Sequence, residues 1–111
     1  TPEKIIFTGY TVKNGDTLYS VAADFGWTST ISLMAKYNIA ADDLRVPGTV
    51  LTPFPVANPD YCPGRRPYVV EENESAYTIS QTVGTTLETL KEINNLDDAY
   101  TVYVTDVICV P

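Results

Sequence analysis

Residues Tyr10–Gly26 read YTVKNGDTLYSVAADFG, and residues Tyr68–Gly84 read YVVEENESAYTISQTVG. Tyr10, Val12, Tyr19, Val21 and Gly26 recur as Tyr68, Val70, Tyr77, Ile79 and Gly84, each 58 positions on. Self-similarity at a fixed offset means one small unit used twice. Within the first copy, Tyr10 and Val12 alternate with polar residues as in a strand, and Asn14-Gly15-Asp16-Thr17 is a turn cluster. Asp16 or Thr17 can cap the helix that follows, and Leu18, Val21, Ala22 and Phe25 give it one apolar stripe. Gly26 is placed to end that helix in a left-handed conformation.

Working outward, a second cap falls among Thr28, Ser29 and Thr30, with Ile31, Met34, Ala35 and Tyr37 as the next apolar face. Asn38–Asp43 reads as a loop, and Leu44, Val46, Val50 and Leu51 as a closing strand around a Pro47-Gly48 turn. The second copy follows the same plan. Ser75 caps a helix carrying Ala76, Ile79 and Val83, and Gly84 stops it. Thr85 with Glu88 fits a capping box ahead of Leu87, Leu90 and Ile93. Asn94–Asp98 is a loop, and Val102, Val104, Ile108 and Val110 return as strand.

The expected fold class is therefore α+β: two βααβ units, each a two-stranded antiparallel sheet with two helices on one face. Unit one spans 10–53 and unit two 68–111, with residues 1–9 as a short lead-in. Pro53, Pro55, Pro59, Pro63 and Pro67 mark 54–67 as a stiff, extended proline-rich linker.

Composition narrows the function. The chain has 111 residues and no His, so the usual neutral-pH acid–base group and commonest metal ligand is missing. Two Cys alone do not build a structural zinc site. A net charge of -7 disfavours nucleic acid and anionic membrane as partners and suits a neutral ligand. No apolar run approaches a membrane span. The acidic pairs Asp42-Asp43, Glu71-Glu72 and Asp97-Asp98 read as solvated loop charges, not as a metal site, and Arg65-Arg66 as linker charge. The chain begins at Thr1 rather than Met, as after removal of a signal peptide or trimming of a longer chain.

Tyr10-Thr11-Val12, Gly15-Asp16-Thr17-Leu18, Ala22, Phe25-Gly26, Asn38 and Val46-Pro47-Gly48-Thr49-Val50-Leu51 together resemble the lysin motif, or LysM, family. Unit two departs from the pattern, with Asn73-Glu74-Ser75-Ala76 where unit one has Gly15-Asp16-Thr17-Leu18. The YCP at Tyr61 and the closing ICVP are similar to fungal secreted LysM proteins.

The resemblance implies a non-enzymatic, secreted, extracellular protein that binds chitin or other N-acetylglucosamine oligomers without a cofactor. It also implies a fungal effector that sequesters chitin fragments or shields cell-wall chitin, with ligand-bridged self-association. The alternative is a chitin- or peptidoglycan-targeting module of a larger hydrolase or receptor. A glycosidase needs two carboxylates flanking a bond in a cleft, and no such pair is readable.

The family groove lies between the first strand–helix loop and the second helix–strand loop. In unit one this implies Gly15, Asp16, Thr17, Leu18, Asn38, Ile39, Ala40, Ala41 and Asp42. In unit two it implies Asn73, Glu74, Ser75, Ala76, Asn94, Asn95, Leu96 and Asp97, a weaker site because the glycine is lost. Asp16-Thr17 would cap a helix whether or not sugar binds, and Leu18 would serve the core equally well. Asn73-Glu74-Ser75 is also a glycosylation sequon, and a glycan there would crowd the second groove. Trp27 is expected at the far end of the first helix, away from the groove, as a packing residue. A Cys62–Cys109 disulfide is expected in a secreted chain and would clip the linker to the last strand.

Overall fold

The computed structural model describes residues 2–111; Thr1, at the head of the expected lead-in, lies outside the described residues. Unit one is built from β1 (Ile5–Thr11), α1 (Leu18–Asp24), α2 (Ile31–Lys36) and β2 (Val50–Ala57). Unit two is built from β3 (Arg66–Val69), α3 (Ala76–Val83), α4 (Leu87–Asn94) and β4 (Val107–Val110). Each unit has its own two-stranded antiparallel sheet, β1 with β2 and β3 with β4.

The caps explain where the helices start. Thr17 accepts from the Ser20 N–H while the Ser20 hydroxyl accepts from the Thr17 N–H, a reciprocal box that Ser75 and Thr78 repeat in unit two. Thr30 caps α2. At α4 the cap is Thr86, not Thr85, and Glu88 takes no part in it; the Thr86 hydroxyl accepts from the Thr89 N–H, and Glu88 receives the Tyr100 hydroxyl instead. Gly26 (φ 61°) and Gly84 (φ 73°) close α1 and α3 in the left-handed region.

Core one gathers Val12, Val21, Ala22, Met34, Ile39, Leu44, Phe54 and Val56. Phe25 stacks on Phe54 with ring centroids 4.9 Å apart. Core two gathers Val70, Ile79, Leu90, Ile108 and Val110. A third cluster, Leu33, Ala57, Val69 and Val107, joins the units. This corrects the expected face of α2. Ile31, Ala35 and Tyr37 are exposed, while Met34 fills core one and Leu33 fills the junction, because the helix serves two neighbours.

The proline-rich stretch is not a free linker. β1 begins at Ile5, ahead of Tyr10, and β2 runs on through Pro55 to Ala57. In a two-stranded ribbon each strand keeps one free edge, where a missing N–H costs nothing. Pro55 and Ala57 share that edge, and the Ala57 N–H is taken there by the Thr28 carbonyl at 2.6 Å. A short 3₁₀ turn, Pro59–Tyr61, then leads to Cys62, which is disulfide-bonded to Cys109 in β4. Polar ties complete the junction: Lys4 pairs with Asp106 at 2.8 Å, and the Ser32 hydroxyl donates to Glu71.

Two closing strands start later than expected. Leu44 ends a 3₁₀ turn (Ala41–Leu44) and is buried, Val46 is exposed, and β2 begins only at Val50. Likewise Val102 packs on core two and Val104 is exposed, with β4 beginning at Val107. In each case a left-handed residue, Gly48 (φ 89°) or Thr105 (φ 66°), turns the chain just before pairing.

Candidate carbohydrate-binding site

The turn between β1 and α1 is held by one carboxylate. Asp16 accepts from the Tyr10 hydroxyl, the Lys13 N–H at 2.8 Å and the Ser20 hydroxyl at 2.9 Å. Burial pushes the Asp16 carboxyl up, and these donors outweigh it, leaving the group below its ordinary range. Burial and the carboxylate together drive the Tyr10 phenol well above its usual value, so it remains a donor. Unit two repeats the device with a longer acid. Glu74 accepts from the Tyr68 hydroxyl at 2.6 Å and from the Glu71 N–H at 2.8 Å, and the Tyr68 phenol is raised in the same way.

Gly15 has φ 80°, and a methyl built on it would meet nothing within 4 Å. Its requirement is conformational. Asn73, at the matching position, has φ 64°, and Asn is the residue after Gly that best tolerates that region. The loss of glycine in unit two therefore leaves the turn standing.

The second loop of unit one turns at Asn38 (φ 64°), where the Ile39 N–H reaches back to the Met34 carbonyl at 2.9 Å. The Ile39 side chain is buried in core one, with half-buried Leu18 packed against the same cluster. Ala40, Ala41 and Asp42 are exposed, and the Asp43 carboxylate accepts from the Ala40 N–H at 2.8 Å. A helical hairpin sets the start of its first helix beside the end of its second, so the Gly15–Leu18 turn and the Asn38–Asp42 loop frame one end of the unit. Their exposed part is backbone, small side chains and the Thr17 cap.

Unit two is more heavily braced. The Asn94 amide is used on both sides: its oxygen accepts from the Cys109 N–H at 2.7 Å and its nitrogen donates to the Cys109 carbonyl at 2.9 Å. Asn95 (φ 53°) makes the turn, and Leu96 is half-buried. Asp97 accepts from the Thr101 N–H at 2.9 Å, which holds its carboxyl below the usual range. Lys91 pairs with Asp98 at 2.8 Å and lies over the Tyr100 ring, while the Tyr100 hydroxyl donates to Glu88. Sequence reasoning missed Tyr10 and Tyr68 as anchors of these turns. The signal was available, since each tyrosine stands six positions before an acid in both copies.

The LysM domain model matches residues 10–52 and 68–111. The chain belongs to the LysM domain family. As LysM units, its two halves are modules for binding carbohydrates such as chitin or peptidoglycan. No curated protein sequence matches this LysM chain. Among solved structures it is similar to the Bacillus cereus spore cortex-lytic enzyme SleL, with 29% identity over 96% of this chain and a TM-score of 0.43. The Bacillus megaterium QM B1551 spore cortex-lytic enzyme SleL matches at 20% identity over 93%, with a TM-score of 0.39. The LysM chain spans 23% and 22% of the lengths of those two chains.

Proposed function

We propose that this chain is a secreted, non-catalytic protein that binds chitin-type N-acetylglucosamine oligomers through the two loop-framed grooves. The observation that carries the proposal is the braced turn that both units build, with Gly15 or Asn73 left-handed and Asp16 or Glu74 tied to a tyrosine. A rigid turn of exposed backbone suits an acetamido group, which offers one amide donor, one carbonyl acceptor and a methyl. Preorganised donors and acceptors lower the cost of binding. Gly15, Thr17, Leu18, Asn38, Ala40, Ala41 and Asp42 are the contacts proposed in unit one, with Asp16 shaping the turn and Ile39 backing it. In unit two Asn73, Ser75, Asn95, Leu96 and Asp97 take those places, while Glu74 and Asn94 serve as braces and Ala76, buried in the core, backs the turn.

Charge supports chitin over peptidoglycan. The loops bring Asp42 and Asp43 to one groove and Asp97 to the other, Asp98 being paired with Lys91, on a chain of net charge -7. A neutral polymer meets no repulsion there, whereas peptide stems bearing carboxylates do. The Cys62–Cys109 disulfide supports an oxidising, extracellular setting. Sequestering or shielding chitin needs affinity and no turnover, which fits an effector role. Asn73 is exposed at its turn, and a glycan on it would leave unit one as the main site; intact mass of the secreted protein reads that directly.

Parallel pull-downs on chitin, peptidoglycan and cellulose test the reading. Retention on chitin alone is expected. Retention on peptidoglycan but not chitin selects the targeting-module alternative, and equal retention on cellulose refutes acetamido recognition.

A further inference from the structure

A cleft of about 590 Å³ opens between the units, beyond the C-terminal end of α1. It lies roughly 10 Å along that helix from the Gly15–Leu18 turn, given 1.5 Å per residue. Unit one contributes Trp27 and Thr28; unit two contributes Pro67, Glu71, Thr82 and Val83. Trp27 and Thr28 belong to the Gly26–Thr30 connection between helices, which is two residues longer than its counterpart Gly84–Thr86. The cleft is thus a feature of the pair, not of either unit.

Four observations say that it is built to hold something. Trp27 is the only tryptophan, and it is 47% exposed although its expected role was packing. It is held at φ 65°, a conformation that costs a bulky residue of order 1–3 kcal/mol, and the Trp27 N–H to Ala22 carbonyl bond (3.0 Å) fixes it there. Its indole is buttressed edge-on by Tyr19, with centroids 5.1 Å apart. Finally, Glu71 commits one carboxylate oxygen to Ser32 and keeps the other buried in the cleft wall without a partner. Arg66, which also lines the cleft, makes no ion pair with Glu71; its guanidinium donates to the Pro111 carbonyl at 3.1 and 3.2 Å.

We propose that this cleft is a further saccharide subsite, with one pyranose ring lying on the Trp27 indole and a sugar hydroxyl donating to Glu71. A flat aromatic takes the C–H face of a pyranose, and a carboxylate and threonine hydroxyls take its O–H groups. The ligand class rests on the carbohydrate reading above.

Trp27 supplies its own probe, since all indole emission comes from this cleft. N-acetylglucosamine oligomers of increasing length are titrated against the intact chain, followed in parallel by tryptophan emission and by calorimetry. Saturable emission change is expected with the longer oligomers. Trp27→Ala and Glu71→Gln should each weaken calorimetric affinity about 3- to 10-fold, the size of one aromatic or hydrogen-bonded contact. Trp27→Phe, which keeps a platform and the loop, should retain most of it. Calorimetric binding with unmoved emission and unchanged affinity in all three variants overturns the cleft and leaves the grooves standing. Absence of binding to any oligomer overturns both.

Discussion

Replacing Tyr10 by Phe removes one hydroxyl and keeps the ring that packs against Phe25 and Phe54, with centroids 5.6 and 5.7 Å away. The loss is the hydroxyl's hydrogen bond to the ionised Asp16 carboxylate, together with a longer contact to Asp24 at 3.3 Å. Such bonds contribute about 1.5–3 kcal/mol. Asp16 is half-buried and keeps the Lys13 N–H and the Ser20 hydroxyl, so the expected cost lies low in that scale, at about 1–1.5 kcal/mol. That corresponds to a fall of roughly 4–8 °C in Tm for a domain of this size. The diagnostic feature is pH. Burial opposes ionisation of Asp16, yet its donors hold the carboxyl below the ordinary value. A depressed carboxyl contributes stability above its unfolded pKa, about 3.9, and loses it as pH falls through the folded value. The gap between wild type and Tyr10→Phe should be full at pH 7 and shrink at an acid pH below the lowered Asp16 value, once the acceptor is protonated. Urea unfolding followed by far-UV circular dichroism at the two pH values measures it. A gap of equal size at both refutes the carboxylate brace, and the Tyr10→Phe/Asp16→Asn cycle should show coupling of about 1 kcal/mol.

Gly15→Asn should leave stability nearly unchanged, because Asn73 already occupies that conformation, whereas Gly15→Val should cost about 1–3 kcal/mol and weaken oligomer binding; thermal melts and calorimetry separate the two. Reducing the Cys62–Cys109 bond, which closes a span of 47 residues, should remove about 4 kcal/mol in the chain-entropy model, and melting with and without reductant reads it. At high pH the raised Tyr10 and Tyr68 phenols protect both turns: their contribution is whole below an unfolded pKa of about 10 and is lost only as pH rises through the higher folded values. An alkaline unfolding transition should therefore move to lower pH in the Tyr10→Phe/Tyr68→Phe variant only through lost stability, with two fewer high-pKa phenols in the absorbance titration at 295 nm.

The helices were legible because their signals are local. Thr17, Thr30 and Ser75 are caps by residue type, Gly26 and Gly84 are stops, and the stripe Leu18, Val21, Ala22, Phe25 reads directly as a face toward the core. The loops were legible as loops for the same reason. What escaped was whatever depends on a distant partner. Pro55 looked like a linker residue, yet it sits in a strand because a two-stranded sheet leaves an edge free for it. Leu33 carried no sign that it would meet Val69 and Val107. Thr85 lost the cap to Thr86 by one position, a shift that local patterns resolve poorly. The carboxylates Asp16 and Glu74 were recognised as important, but their tie to Tyr10 and Tyr68 runs across the strand–helix corner and shows only in three dimensions.

On the proposed reading, the junction between the units changes how the two grooves add up. Modules on a flexible tether raise the effective concentration for the second contact to about the millimolar range, and they adapt to ligands of many lengths. Here Leu33, Ala57, Val69 and Val107 form a shared apolar cluster, Lys4 pairs with Asp106, Ser32 with Glu71, and the disulfide anchors the connector to β4. Two grooves fixed in one body need no ordering when the second engages, so a matching chain gains more than a flexible pair would give it. The same rigidity removes adaptation, because an oligomer too short to reach both grooves gains nothing from the second. Affinity should then climb abruptly at one oligomer length instead of rising smoothly with each added sugar. Opening the junction with Leu33→Ala should blunt that step before it weakens either groove alone.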